Sequence, residues 1–304
     1  MKLLFLFIDG LGLGKSDPAI NPLVRFAPSF FSAWLKQPLT EELRPIISDT
    51  VCLLPLDATL GVAGLPQSAT GQTTLFTGIN AAKAMGHHVQ AFPGPQLKKL
   101  IFAEGLLAKL VQAGYRVKGA NAYLSNYENL IASRKYRHSA TTLTLLGAGL
   151  PLASVEELRQ GKAVYQDITN EMAAALESDV PIISPCQAGK NLAQITQQHH
   201  FTLYEYFQTD RYGHKQDWQM AEKIVRYIDE LLWGFWREAA GDCTLLLVSD
   251  HGNFEDLSVK THTINKVPLL LMGPASRKLA EQITDFSSVA QTIFSVMQGE
   301  RENG

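Results

Sequence analysis

The chain has 304 residues, enough for one large domain or for a core with a smaller insertion. Its apolar fraction of 46% and charged fraction of 18% are those of an ordinary globular protein. The formal charge is only −2 and no block of like charges occurs, so we expect neither nucleic acid nor an anionic membrane as a partner. Three cysteines stand far apart without a CxxC pair, which favours a reducing compartment over a disulfide framework.

The first predicted element is a buried strand at Leu3–Ile8, ended by Asp9 and Gly10. Lys2 ahead of an apolar run is typical of a signal peptide, but this run is too short and no small-residue cleavage site follows. No segment reaches the roughly 18–20 apolar residues that a membrane span needs. We therefore expect a cytoplasmic protein.

Further elements follow in chain order. The apolar spacing predicts a helix over residues 97–114 and a strand over 115–120, then a strand over 202–207 and a helix over 219–240. Two more buried strands are predicted at Thr244–Val248 and Val267–Met272, and a last helix from Asp285 to about Met297. Residues 125–190 differ in character, with a basic cluster and an Ala/Gly/Leu/Thr-rich stretch.

The predicted strands are continuous apolar runs without alternation, which suits a sheet covered by helices on both faces. Alternation of strands and helices predicts an α/β fold with a doubly wound, mostly parallel sheet. We assign residues 1–124 and 191–304 to this core and residues 125–190 to a small inserted cap. In such sheets ligands bind at the carboxyl ends of the strands.

Potential metal ligands flank the ends of the predicted strands. They are three carboxylates and three imidazoles: Asp9, Asp210, His214, Asp250, His251 and His262. Oxygen and nitrogen ligands without thiolate suit Zn²⁺ or Mn²⁺, and six are enough for two ions. Two such ions are a common device for clamping a phosphoryl group. Taken singly, an Asp after a strand is often a helix cap and a DHG triplet is often a turn, but their joint occurrence favours the metal site.

The segment 65–78, LPQSATGQTTLFTG, offers five hydroxyls in ten residues: Ser68, Thr70, Thr73, Thr74 and Thr77. One of them is either a nucleophile or part of the polar start of a helix. Nothing inside the segment decides between these interpretations.

In order, Asp9-Gly, the hydroxyl-rich helix start, Asp210-x-x-Gly-His, Asp250-His-Gly-Asn and His262-Thr-x-Asn-x-Val-Pro resemble the motifs of the alkaline phosphatase superfamily. The resemblance is closest to the metalloenzyme branch that contains cofactor-independent phosphoglycerate mutase and phosphopentomutase, and it spans residues 3–273. It implies that Asp9, Asp250, His251 and the nucleophile hydroxyl hold one ion. It implies that Asp210, His214 and His262 hold the other.

The resemblance also selects a nucleophile. In the mutases the nucleophile is a Ser or Thr, followed by any two residues and then by Gly and His. Ser68 fits this pattern, with Gln72 in place of the histidine. The sulfatase frame, counted back ten residues from the Gly of a Thr-Gly pair, also selects Ser68. A competing alignment selects Thr73. A serine at a helix N-terminus has backbone N–H groups beside it that favour an incoming phosphate.

A basic cluster in the cap is the candidate substrate contact. Its members are Arg134, Lys135, Arg137 and His138. Guanidinium groups suit phosphate and carboxylate oxygens, so we predict that the cluster clamps a second anionic group of a small phosphorylated substrate. The alternative is a solvated charged face.

The expected activity is hydrolysis of a phosphoester through a phosphoserine intermediate. The first alternative is a phosphomutase, in which a substrate hydroxyl receives the phosphoryl group. The phosphoglycerate mutases carry a much larger inserted domain than residues 125–190, which argues against that particular activity. The second alternative is a non-catalytic metal-binding or ligand-binding protein. Ser68 stands where sulfatases carry a modified cysteine, which argues against sulfatase activity, while phosphonate cleavage stays open.

Overall fold

The computed structural model describes residues 1–239 and 241–302. Within these ranges the chain forms seven strands: β1 Leu3–Ile8, β2 Ile46–Ile47, β3 Val51–Leu56, β4 Val117–Gly119, β5 Phe201–Tyr206, β6 Thr244–Val248 and β7 Val267–Met272. The helices of the first half are α1 Pro22–Phe26, α2 Ser29–Leu35, α3 Ser68–Thr77, α4 Ala81–Met85, α5 Pro95–Glu104, α6 Leu106–Gln112, α7 Tyr127–Ala132 and α8 Ala140–Gly147. Those of the second half are α9 Val155–Arg159, α10 Glu171–Ala174, α11 Pro185–Gln198, α12 Gln208–Gly213, α13 Trp218–Ala239, α14 Ser276–Ala280 and α15 Ser288–Glu302.

All seven strands belong to one sheet, in the order β2-β3-β7-β6-β1-β5-β4. β1 pairs in parallel with β5 and β6, and β4 pairs in parallel with β5. β7 runs antiparallel to both β6 and β3, and β2 runs antiparallel to β3. The predicted α/β fold is confirmed, but the sheet is mixed and not mostly parallel, because three of its six neighbouring strand pairs are antiparallel. β6 and β7 are joined without a crossover helix, which parallel neighbours usually need, so the chain returns in the opposite direction.

Helices cover both faces of the sheet. The side chains of a central strand point alternately to one face and to the other, and here the side chains on both faces are apolar. Every residue of β1 is buried. Leu4, Leu6 and Ile8 pack in one cluster with side chains of α11 and α13. Leu3, Phe5 and Phe7 pack in another with side chains of α3, α6 and α15. This two-sided burial explains the uninterrupted apolar runs in the sequence.

The three predicted helices differ in their boundaries from those in the structure. The helix predicted over residues 97–114 is two helices, α5 and α6, separated at Gly105, whose backbone is extended with φ −59° and ψ 132°. The helix predicted over 219–240 is α13, and Ala240 lies outside the described residues. Asp285 accepts the N–H groups of Ser287 and Ser288 ahead of α15, which continues past Met297. No helix in the described ranges is both long and apolar enough to cross a bilayer.

The segment predicted as an inserted cap contributes to two apolar clusters. Ala140, Leu143 and Leu145 of α8 pack with the strands and with α6. A smaller cluster includes Ala153 and Tyr165, together with five other residues between positions 122 and 180. The boundaries 125 and 190 stay a prediction.

Candidate metal centre and nucleophile

The predicted ligands converge on one edge of the sheet. Asp9 follows β1, Asp210 lies in α12 directly after β5, and Asp250 and His251 follow β6, so all four lie at the carboxyl ends of parallel strands. His262 precedes β7, but β7 is antiparallel and therefore begins at this same edge. The fold thus brings together residues that are separated by up to 253 positions in the chain.

One group of side chains surrounds His251. Its Nε2 lies 3.3 Å from Asp9 Oδ1 and 3.5 Å from Asp250 Oδ2. Ser68 is the first residue of α3, and its Oγ lies 3.0 Å from the same Nε2. All four side chains are buried. Oxygen and nitrogen atoms from three separate parts of the sequence therefore point at one small volume.

A second group surrounds Asp210. Its carboxylate lies 3.4 Å from His214 Nε2 and 3.5 Å from His262 Nε2. The Nδ1 atoms of the two rings lie 2.6 Å from the Lys260 carbonyl and 2.8 Å from the Pro66 carbonyl. A carbonyl only accepts hydrogen bonds, so each Nδ1 carries a proton, and the neutral form of each ring presents its Nε2 lone pair to the site.

The two groups adjoin each other. The rings of His251 and His262 stack with centroids 3.7 Å apart. There are two overlapping triads, Asp9 with Asp250 and His251, and Asp210 with His251 and His262. Within each triad the ligand atoms lie within 4.8 Å of one another. These are the distances at which side chains can share a metal ion.

Three observations test whether a divalent cation fits here. The Nε2 atoms of His214 and His262 face each other at 3.2 Å beside a carboxylate. Asp9 Oδ1 is buried and accepts no hydrogen bond within the described ranges, although His251 Nε2 lies 3.3 Å away. The donors are carboxylate oxygens and imidazole nitrogens, which suit Mn²⁺ or Zn²⁺. The residues present fit a divalent-metal centre.

The electrostatics of the site also favour a cation. Burial, together with the charges of Asp250 and Asp210, raises the pKa of Asp9 well above its ordinary value. Burial alone would raise the pKa of Asp210 too, but hydrogen bonds that the protonated rings of His214 and His262 donate from Nε2 outweigh it and hold that pKa low. Burial lowers the pKa of His251. Crowded carboxylates beside a neutral imidazole therefore form a site of negative potential.

Among the five hydroxyls of segment 65–78, only Ser68 contacts the ligand group. The other four donate to backbone carbonyls three or four residues earlier in the chain: Thr70 to Gln67, Thr73 to Ala69, Thr74 to Thr70 and Thr77 to Thr73. The Thr73 hydroxyl donates to the Ala69 carbonyl at 2.6 Å, within its own helix. The hydroxyl-rich composition thus combines one site residue with four helix-internal hydrogen bonds.

Sequence analysis missed Glu255, a fully buried carboxylate that connects the loop after β1 with the two ends of the loop between β6 and β7. It accepts hydrogen bonds from Gly12 N (3.0 Å), Asn253 N (2.7 Å) and Asn265 Nδ2 (3.0 Å), and also from the Thr263 hydroxyl. A Cβ at Gly12 would lie 2.4 Å from the Glu255 carboxylate carbon, so any larger residue there would have to displace the carboxylate. In the sequence, Glu255 is marked only by its position five residues after Asp250. Its position alone does not distinguish it from an acidic residue on the surface.

Two amides bind the ligand carboxylates. Gln72 Nε2 donates to Asp9 Oδ2 at 3.2 Å and to Asp250 Oδ2 at 3.0 Å. Asn253 Nδ2 donates to Asp210 Oδ1 at 2.9 Å. In the sequence, Gln72 stood out only as a departure from the family histidine.

Glu205 is a further buried carboxyl, on β5. Burial raises its pKa to about 7, with a smaller contribution from the charge of Asp250. Asn121 brackets its backbone, accepting from the Glu205 N–H and donating to the Glu205 carbonyl. An isolated Glu within an apolar strand gave no signal that it lies near the metal ligands.

The predicted substrate cluster lies in the link between α7 and α8. Arg134, Lys135 and Arg137 are exposed. His138 Nδ1 lies 2.9 Å from the Tyr127 hydroxyl, and burial lowers the His138 pKa. Within the described ranges, no hydrogen bond or ion pair joins this cluster to the metal-ligand candidates.

Two comparisons with known sequences give matches. A model of the Metalloenzyme superfamily matches residues 164–300. The 2,3-bisphosphoglycerate-independent phosphoglycerate mutase of Desulforudis audaxviator is 34% identical over 103 residues, which make up 31% of this chain and 20% of that mutase. The similarity therefore spans only a fifth of the relative's length.

Solved structures share the fold at low sequence identity. A protein from Pyrococcus horikoshii aligns with a TM-score of 0.55 and 13% identity over 91% of this chain and 86% of that chain. The alkaline phosphatase of the Antarctic bacterium TAB5 aligns with a TM-score of 0.53 and 12% identity over 98% of this chain and 97% of that chain. These likenesses confirm the predicted α/β architecture, and the two sequence matches agree with the predicted superfamily.

Proposed function

We propose that this chain, a metalloenzyme of the alkaline phosphatase superfamily, hydrolyses phosphoesters with Ser68 as the nucleophile. The observation that carries the proposal is the position of Ser68 Oγ, 3.0 Å from His251 Nε2 at the start of α3. A hydroxyl among carboxylates and imidazoles is at the place where an activated nucleophile is needed.

The helix start supports phosphate binding. α3 runs for ten residues from Ser68, and its N-cap residue, Gln67, makes no side-chain hydrogen bond to the first turn. The N–H groups of that turn and the positive end of the helix dipole lie beside the Ser68 hydroxyl. An incoming phosphate can therefore accept hydrogen bonds from these N–H groups while its phosphorus lies next to Oγ, opposite the ester oxygen that will leave.

We propose two divalent ions, Mn²⁺ or Zn²⁺, as cofactors. Asp9, Asp250, His251 and Ser68 would hold one of them. The second would be held by Asp210, His214 and His262. When bound, the ions would neutralise the phosphate charge and lower the pKa of the serine hydroxyl.

The reaction takes place in two displacements. Ser68 Oγ forms a bond to phosphorus and releases its proton to solvent, while the bond from phosphorus to the ester oxygen breaks and that oxygen takes up a proton. Water then attacks the phosphoserine, which restores the hydroxyl and releases inorganic phosphate. The proposed substrate is a small phosphorylated molecule whose second anionic group reaches Arg134, Lys135, Arg137 and His138.

The phosphomutase alternative rests on the 34% identity to a phosphoglycerate mutase over 103 residues. In that case a substrate hydroxyl, and not water, takes the phosphoryl group from Ser68. A phosphosugar converted to its isomer without release of inorganic phosphate would establish the mutase and exclude the hydrolase.

The test combines metal content with turnover of an aryl phosphate in the presence of Mn²⁺ or Zn²⁺. Ser68→Ala should retain its metal through the three remaining ligands, Asp9, Asp250 and His251, and lose activity by at least about a thousandfold, as loss of a nucleophile does elsewhere. Thr73→Val is the matched control, because the Thr73 hydroxyl donates only to the Ala69 carbonyl. Full activity in Ser68→Ala would refute the assignment. Metal binding without turnover of any phosphoester would favour the non-catalytic alternative.

A further inference from the structure

We infer that Gln72 is a positioning residue that holds the carboxylates of Asp9 and Asp250 in the arrangement that binds one of the two ions. The inference rests on the proposed metal centre but not on the reaction carried out there. It concerns the ion site formed with His251, and predicts that the site around Asp210 is independent of Gln72.

The backbone of α3 brings the amide within reach of both carboxylates. Gln72 lies four residues after Ser68, so the two side chains project from the same face of the helix. Gly71 allows this close approach, because a Cβ there would lie 2.9 Å from the backbone oxygen of Asp250. One helix therefore supplies both the nucleophile and the amide that contacts the carboxylates.

Both N–H groups of the amide are used. Nε2 donates to Asp9 Oδ2 at 3.2 Å and to Asp250 Oδ2 at 3.0 Å, and Gln72 is only 4% exposed. Asp250 Oδ1 accepts from the Gly10 N–H at 3.3 Å. The amide thereby occupies Asp9 Oδ2 and leaves Asp9 Oδ1 turned toward His251, at 3.3 Å.

A neutral donor suits this position. Two buried carboxylates repel each other, and repulsion turns them apart unless a donor lies between them. An ammonium or guanidinium group in place of the amide would hold them too, but its charge would compete with the metal ion. The amide satisfies one oxygen of each carboxylate and leaves the full negative charge available to the cation.

The experiment is a calorimetric titration of the metal-free protein with Mn²⁺, comparing the wild type with Gln72→Met and Gln72→His. Methionine keeps the length of the side chain and removes both donors, while histidine keeps one N–H donor. We expect Gln72→Met to lower the affinity for one of the two ions by about 10–100-fold, which is the usual effect of losing a hydrogen-bond partner of a metal ligand. The affinity for the other ion should change by less than about threefold. Gln72→His should fall between Gln72→Met and the wild type.

Circular dichroism and the urea midpoint of the metal-free variants monitor the fold. Equal weakening of both ions, or unchanged binding of both, would overturn the inference, as would a wild type that binds no Mn²⁺. Weakening of one ion in a protein whose wild type turns over no phosphoester would support the inference and refute the proposed function. The two failures are therefore distinguishable.

Discussion

Replacing Glu255 should loosen two ligand-bearing loops together. Its carboxylate accepts from Gly12 in the loop after β1, and from Asn253, Thr263 and Asn265 in the loop between β6 and β7. The first loop carries Asp9, and the second carries Asp250, His251 and His262. Removal of the carboxylate leaves two backbone N–H groups and two side-chain donors without an acceptor inside a fully buried pocket.

The structure sets the size of the effect. Hydrogen bonds to a charged acceptor contribute roughly 1.5–3 kcal/mol each, and a stranded buried donor costs about 1–3 kcal/mol. Burial of the carboxylate offsets part of this, and it raises the pKa of Glu255 for the same reason. We therefore expect Glu255→Ala to lower the free energy of unfolding by about 3–5 kcal/mol. Glu255→Gln keeps the shape but turns one NH₂ group toward other donors, and should cost about 1–2 kcal/mol.

The assay is urea unfolding of the metal-free protein, followed by Mn²⁺ titration under conditions where the variants are folded. Glu104→Ala is the control, since Glu104 pairs with Lys109 at the surface and should change stability by less than about 0.5 kcal/mol. Because the two loops hold ligands of both proposed ions, both affinities should fall in Glu255→Gln. A stability loss below 1 kcal/mol in Glu255→Ala, or weakening of one ion alone, would refute this reasoning.

Two further predictions concern the core and the pH dependence. Gly189→Ala should lower the free energy of unfolding, measured in urea titrations, by at least about 1–3 kcal/mol. The reason is that a Cβ at Gly189 would lie 2.0 Å from the Leu231 carbonyl oxygen, where α11 meets α13. Unchanged stability would contradict this contact. Burial raises the pKa of Glu205 from its ordinary 4.5 to about 7, so ionisation costs the folded state more than the unfolded state. The stability of the metal-free wild type relative to Glu205→Gln should therefore fall by about 3 kcal/mol as the pH rises from 4.5 past 7, and parallel pH profiles would contradict it.

The strands that sequence analysis placed correctly share one property, burial on both faces. β1, β6 and β7 have the predicted bounds because each is an unbroken apolar run within a sheet that is covered by helices on either side. β3 was missed. Its Pro55 is a residue that argues against a central strand, yet here it pairs with Pro268 of β7. A pair of prolines facing each other gives up donors on both strands, and local propensity cannot anticipate that arrangement.

The ligand types could be read from spacing, whereas the residues that position them could not. His and Asp beside strand ends are rare enough to be informative. Gln72 and Glu255 are ordinary residues whose roles depend on contacts with positions 178 and 243 residues away. Their partners can be identified only from the folded structure. Nothing in the neighbouring sequence indicates that the Gln72 amide or the Glu255 carboxylate is buried in the site.

His262 shows why strand direction decides whether a ligand belongs to the site. A strand rises about 3.3 Å per residue, so the two ends of a six-residue strand are roughly 20 Å apart. If β7 ran parallel to β6, a residue just ahead of it would lie at the opposite edge of the sheet, far from Asp210. The antiparallel pairing brings His262 Nε2 within 3.5 Å of the Asp210 carboxylate. The hydrophobic pattern of β7 is the same in either direction, so the loop between His251 and β7, tied down by Glu255, is what determines the geometry of the second ion site.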